Sequence, residues 1–212
     1  MNTDFYKLIL VTHRQNIPLS QYLNFIKECI SSGVTSVQLR EKNGDAAFKL
    51  EFAQHLKQIL SPFNIPLLIN DDTALAQQVN AEGVHLGQTD TAPTKARELL
   101  GAGKFIGLSI ESEHDLVQAN QSELSYVAAS AVFPSQHKNN LKTIWGLDGL
   151  TKLCQKSNHP VVGIGGIDET NLSQILQAGA RGVAVIGALH QAENPSKMAL
   201  KLRQILDTGV SR

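Results

Sequence analysis

Apolar positions along this chain fall into two alternating patterns. One is a short run with a continuous apolar centre, often β-branched: KLILVTH, SVQLREK, PLLINDD, GVHLGQTD, FIGLSI, YVAASAVF, PVVGIGG and GVAVIGAL. Such runs lack strict in-out alternation, which points to parallel strands buried on both faces. The other is a longer stretch with helical spacing, as in LSQYLNFIKECISSG, DAAFKLEFAQHLKQIL, ESEHDLVQANQ, LDGLTKLCQKS and ETNLSQILQAGA, with NPSKMALKLRQIL closing the chain. Gly33, Gly101 and Gly179 follow helical stretches, as C-terminal glycines do. Pro66 and Pro160 start strands, where a missing N–H is tolerated. Strands and helices that alternate eight times predict a (β/α)8 barrel, with residues 1–212 forming one domain. A doubly wound open sheet is the alternative. It normally has fewer strands, and a dinucleotide-binding one carries an early GxGxxG turn, absent from the first two strand-to-helix junctions.

Composition narrows the partners. Lys plus Arg (19) balance Asp plus Glu (19), so net charge favours neither nucleic acid nor an acidic membrane, and any anion site is built locally. The N-terminal MNTDFYKLILVTH lacks the layout of a signal peptide, and no apolar run reaches spanning length. A cytoplasmic protein is expected. Cys29 and Cys154 sit in amphipathic stretches and are expected as reduced, packed thiols.

In such a barrel the chemistry lies at the C-terminal ends of the strands. Gln38, Arg40 and Lys42 follow one another at a spacing of two, which puts an amide and two cations on one face, with Leu39 and Glu41 opposite. Clustering cations in a barrel mouth is costly without an anionic ligand; a solvated strand end is the plainer reading. The third strand ends Asn70, Asp71, Asp72. Asp72 suits a helix cap, which leaves Asp71 as the site candidate. Asp90 ends the fourth. Two carboxylates beside two cations fit a Mg²⁺ ion that shares a phosphate. Ser109 ends the fifth and suits a ligand hydroxyl or a cap equally. GIGGID and AVIGA, with Gly166, Ile186 and Gly187, resemble phosphate-binding turns in which backbone N–H groups approach the ligand. Asp168 is expected to be a cap.

In SAVFPSQHKNN an apolar run breaks at Pro134 and is followed by Ser135, Gln136, His137 and Lys138. Locally this fits a solvated loop or a grip on an anion. The remaining histidines show no HExxH or Cys/His spacing, so zinc is not expected. His85 alternates with Val84 and Leu86 and is expected as a packed or edge residue of a strand.

Taken together, VQLREK, INDD, GVHLGQTD, the serine of IGLS, VFPSQHK and VVGIGGI resemble the thiamine-phosphate synthase family, in order, from Val37 to about Ala188. The first three are the specific ones; the glycine motifs are widely shared. The resemblance implies a (β/α)8 barrel and a transferase. Such an enzyme joins an aminopyrimidine methyl diphosphate to a thiazole phosphate with Mg²⁺, releasing diphosphate and thiamine phosphate. It further implies that Gln38, Arg40, Lys42, Asn70, Ser109 and Lys138 hold the pyrimidine diphosphate, with Arg40, Lys42, Ser109 and Lys138 catalytic. Asp71 and Asp90 fall at the Mg²⁺ positions. Ser135, His137, Gly166, Ile186 and Gly187 fall at the thiazole-phosphate positions, and Gln136 joins the same binding loop. A homo-oligomer is implied as well.

The departures cluster. Where the family writes GxGPxFPTxTK, this chain has AASAVFPSQHK: Ala128, Ser130 and Ala131 replace Gly, Gly and Pro, Ser135 replaces one Thr and His137 another. Gly187 stands where a serine is common. All of these touch the thiazole half. Two alternatives follow: a thiazole tautomerase on a related barrel, with His137 as acid–base group, and a non-catalytic thiamine-precursor binder.

Overall fold

The computed structural model describes residues 4–135 and 142–209. In chain order they form β1 (Leu8–Val11), α1 (Leu19–Ser31), β2 (Ser36–Leu39), α2 (Ala46–Leu60), β3 (Leu67–Asn70), α3 (Thr73–Gln78), β4 (Gly83–Leu86), α4 (Pro93–Leu100) and β5 (Phe105–Ile110). There follow α5 (Glu113–Ala119), β6 (Tyr126–Ser130), α6 (Gly146–Lys156), β7 (Val161–Ile164), α7 (Leu172–Gln177), β8 (Gly182–Val185), the single turn α8 (Gly187–His190) and α9 (Pro195–Thr208). The strands pair in chain order and β8 closes on β1, all in parallel. This is the expected (β/α)8 barrel.

The continuous apolar runs are explained by two cores. Leu8, Leu10, Val37 and Leu39 face outward, into the layer filled by helix residues such as Ile26, Phe52 and Leu56. Ile9, Val11, Leu68, Ala128, Val162 and Ala184 face inward. The lower end of the interior is closed by rings: Phe5 stacks on Phe105 with centroids 3.8 Å apart, and Tyr126 meets Phe5 edge-on at 5.9 Å. Gly107 makes room for the Tyr126 ring, since a Cβ there would collide with it.

Helix starts follow cap chemistry. Asp45, Asp72, Ser112 and Asn194 accept from the N–H of the residue three positions on, at 2.8–3.1 Å, each worth about 1 kcal/mol. Ser109 is therefore not a cap: Ser112 caps α5, and Ser109 lies within β5. Asp168 corrects the expectation. Its Oδ1 accepts from the N–H and hydroxyl of Thr170, at 2.8 and 2.6 Å, while α7 starts only at Leu172, after Asn171. The aspartate shapes the turn that leads away from Gly165–Gly166 rather than the helix end. Cys29 is buried and Cys154 half-buried, both as free thiols. Among the described residues no helix is long and apolar enough to cross a membrane.

Candidate active site

Toward the C-terminal end of the barrel the inward positions turn from apolar to polar: Gln38, His85, Ser109 and Ser130 are buried there, and Asn70 ends β3. Above them opens a cavity of about 670 Å³. Gln38, Arg40, Lys42, Asn70, Asp71, Asp90, Ser109, Ser135, Gly166, Ile186 and Gly187 all line it. Every candidate residue on the described chain therefore reaches one space. Gln136, His137 and Lys138 lie outside the described residues.

Arg40 and Lys42 follow the end of β2. Thr12 extends the ladder for them. Its N–H donates to the Gln38 carbonyl at 2.9 Å, and its hydroxyl both accepts from Arg40 N–H at 2.8 Å and donates to the Arg40 carbonyl at 3.2 Å. The out-facing Glu41 binds Arg14. Burial pulls the Arg40 guanidinium down from its ordinary value, opposed by the charge of Asp71. A partly desolvated cation at a cavity wall is suited to an anionic ligand.

Asp71 takes a left-handed backbone conformation (φ 66°), which aspartate tolerates better than most residues. Its N–H donates to the His85 carbonyl at 2.8 Å, tying the β3 end to β4. Its carboxyl is pushed up to about 6, first by burial, then by a hydrogen bond to and the charge of Asp90; Arg40 and Lys42 pull the other way. Asp90 accepts from Gly87 N–H at 2.7 Å. Among the described residues no group of three or more His, Cys, Asp or Glu could hold a metal. The Asp71–Asp90 pair still suits a hard divalent cation that keeps waters and shares a phosphate, and that cation would offset the repulsion between the two carboxylates.

Across the cavity, Gly165 (φ 97°) and Gly166 (φ 62°) form the turn after β7. The segment leaving β6 runs beside it: Val132 N–H donates to the Ile164 carbonyl at 2.8 Å and Phe133 N–H to Gly165 at 3.1 Å. A Cβ on Gly166 would sit 2.7 Å from both Phe133 Cβ and the Pro134 carbonyl oxygen, so only glycine fits. Since α8 is a single turn, it can offer backbone N–H groups to a ligand but little summed dipole.

Several site residues escaped the sequence reading. His85 is 6% exposed, lines the cavity, and bonds Ser109 Oγ through Nε2 at 3.0 Å and the Tyr126 hydroxyl through Nδ1 at 2.8 Å. Gln88 lines the cavity and donates to the Ser109 carbonyl at 2.6 Å. Glu111 lines it as well and pairs with Lys142 at 3.5 Å. Strand alternation was the available signal for His85, because it shares the inward face with Gly83.

Comparison with known proteins finds one family. The family model described as thiamine monophosphate synthase matches residues 8–189. A thiamine-phosphate synthase of Chlamydia caviae is 45% identical over 210 residues, covering 99% of both chains. One from Vibrio campbellii is 43% identical over 190 residues, 90% of this chain and 93% of that one. Among solved structures, a thiamine phosphate pyrophosphorylase from Pyrococcus furiosus superposes with a TM-score of 0.89 at 30% identity, covering 99% of each chain.

Proposed function

The chain belongs to the thiamine monophosphate synthase family and is a transferase that makes thiamine phosphate, and we propose that it does so by a dissociative displacement within this cavity. The observation that carries the reading is the meeting of Arg40 and Lys42 with Asp71 and Asp90 at one end of a cavity whose other end is the Gly165–Gly166 turn. Both signs of charge are what a metal-bound diphosphate needs, and a glycine turn suits the second phosphate.

The substrates are an aminopyrimidine methyl diphosphate and a thiazole phosphate. Asp71 and Asp90 would hold Mg²⁺, which when bound neutralises charge on the diphosphate. Arg40 and Lys42 clamp the same diphosphate oxygens from the β2 side. Heterolysis of the bond between methylene carbon and oxygen sends the electron pair out with diphosphate. The electron-rich ring stabilises the methylene cation that remains. The thiazole nitrogen then donates its lone pair to that carbon, forming the new C–N bond. Such a reaction needs placement and exclusion of water more than a protein base. Gln38, Asn70 and Ser109 hold the pyrimidine, and Lys138 joins Arg40 and Lys42 on its diphosphate; Ser135, Gly166, Ile186 and Gly187 hold the thiazole phosphate, with Gln136 and His137 from the same loop. An isomerase acting on a thiazole would have no diphosphate for Arg40 and Lys42 to clamp.

The test is direct. Incubation with both substrates and Mg²⁺ should yield thiamine phosphate and diphosphate in equal amounts. No product under conditions in which an authentic family member turns over would overturn the reading.

A further inference from the structure

The seam at which β8 closes on β1 carries a run of hydrogen bonds behind the cavity wall. His13 N–H donates to the Tyr22 hydroxyl at 2.7 Å. That hydroxyl lies 2.6 Å from His190 Nε2, and His190 Nδ1 lies 2.7 Å from the Ile186 carbonyl oxygen. Tyr22 is buried, with its ring stacked on that of His190, and Phe25 packs against the same imidazole with centroids 4.8 Å apart. Ile186 and Gly187 line the cavity; Tyr22 and His190 stand behind them. The displacement described above uses neither Tyr22 nor His190.

The two ends of this run fix its direction. A backbone N–H only donates and a carbonyl only accepts. His190 Nδ1 therefore carries a proton, and in a neutral imidazole Nε2 is the acceptor for Tyr22 O–H. Burial holds the Tyr22 phenol well above its ordinary value, so it keeps that hydrogen. The carbonyl at the far end belongs to the peptide between Ile186 and Gly187. That peptide is trans, so its N–H points opposite to its carbonyl. Gly187 opens α8, where an N–H has no partner inside the helix. The N–H groups of Leu189 and His190 also reach the Ile186 carbonyl, but at 3.2 and 3.1 Å, and a single turn holds itself weakly. The imidazole makes the shortest of the three bonds. A peptide turns over through ψ of one residue and φ of the next, and glycine resists a change of φ least.

We propose that His190, oriented by Tyr22, is a positioning residue that pins the Ile186–Gly187 peptide with its N–H turned into the cavity, where it donates to a phosphate oxygen of the second substrate. The inference rests on the reading of that end of the cavity as the thiazole-phosphate side. It adds that the direction of the donor is set from behind the wall, by an imidazole that does not touch the substrate. Without that bond the glycine peptide is free to turn its carbonyl, an acceptor, toward the phosphate.

Two measurements test it. Nitrogen-15 NMR of the ligand-free protein reads the His190 tautomer directly, and the proton is expected on Nδ1. An Nδ1 without a proton overturns the proposal. The second is the affinity for thiazole phosphate by calorimetry, with Mg²⁺ and diphosphate present, which needs no turnover. His190→Phe keeps a ring against Tyr22 and Phe25 but has no N–H, and should bind about tenfold more weakly, with the KM for pyrimidine diphosphate within about twofold. His190→Asn loses the ring but places an amide N–H where Nδ1–H stood, and should return to within about threefold of the unaltered protein. A histidine that served packing alone would give the opposite order. Undiminished affinity in His190→Phe, or an asparagine variant no better than it, overturns the proposal. If the variants do not fold, the tautomer of the unaltered protein decides alone. Absence of thiazole phosphate binding to the unaltered protein would overturn the proposal together with the reading it rests on. Failure of the thiamine phosphate assay with that binding intact would count against the reaction alone.

Discussion

Glu41 stands between Arg40 and Lys42 in the sequence, yet it binds a different cation: its Oε2 lies 3.2 Å from Arg14 Nε, with the two side chains only 7% and 17% exposed. Its other carboxylate oxygen accepts from Asn43 N–H at 3.1 Å. Arg14 also donates to the Ile17 carbonyl at 2.8 Å and lies over the Phe48 ring at 4.6 Å. The loop after β1 is thus latched to the loop that carries the two site cations. Glu41→Gln should cost about 1–3 kcal/mol of stability and raise the KM for pyrimidine diphosphate severalfold, with that for thiazole phosphate unchanged. If the pair acts as one latch, Arg14→Met should add little in the Glu41→Gln background. Full additivity in the double-mutant cycle would contradict this.

The raised carboxyl of Asp71 sets a pH window. Its folded value is about 6 against an ordinary 3.8, so the folded state holds the proton more tightly than the unfolded chain. The stabilisation is fully present below the ordinary value and is lost as pH rises through about 6. Without metal, Tm should therefore fall across this interval, and Asp71→Asn should flatten the slope. A cation competes with the same proton, so the apparent Mg²⁺ affinity should climb with pH up to about 6 and then level off. Thermal unfolding across pH, with chelator and with Mg²⁺, reads both effects. An unchanged slope in Asp71→Asn would remove Asp71 as the cause.

Gly166 lines the cavity across from the charged set. Alanine there meets Phe133 and the Pro134 carbonyl at 2.7 Å and must hold φ near 62°, a conformation that costs about 1–2 kcal/mol for a residue with a Cβ. Gly166→Ala should raise the KM for thiazole phosphate at least about tenfold and change that for pyrimidine diphosphate little. Steady-state kinetics with each substrate varied in turn decides the matter, since equal losses for both would mean that the turn does not act locally.

The thiols should be silent. Burial pushes Cys29 up to about 12 and Cys154 up to about 11, which leaves almost no thiolate at neutral pH. An aromatic disulfide reagent at pH 8 should label neither in the native protein and both after denaturation. Rapid labelling of the native state, or activity lost in Cys154→Ser, would show that one of them has a role.

Much of the site was legible because a (β/α)8 barrel turns sequence position into depth. The end of each apolar run is the end of a strand, and all strand ends face one way. Arg40, Asp71, Asp90 and Gly166 were found by that rule, and each lines the cavity. His85 was passed over as a packed residue because a histidine between two apolar neighbours gives the same pattern whether or not it reaches a site. Asp168 was misassigned because a turn built around two glycines delays the start of α7 beyond the usual cap spacing.

The sequence by itself determined the eight-fold alternation, the reach of the charged set and the family to which it points, because strand and helix periods and strand ends are local properties of a chain. The tertiary structure decided which side chains meet. Ser109 and Tyr126 lie 24 and 41 positions from His85, and Arg14 lies 27 from Glu41. Alternation says that a residue points inward but not at what height. Height follows from the stagger between paired strands, and contact from space left open, here the missing side chain of Gly107.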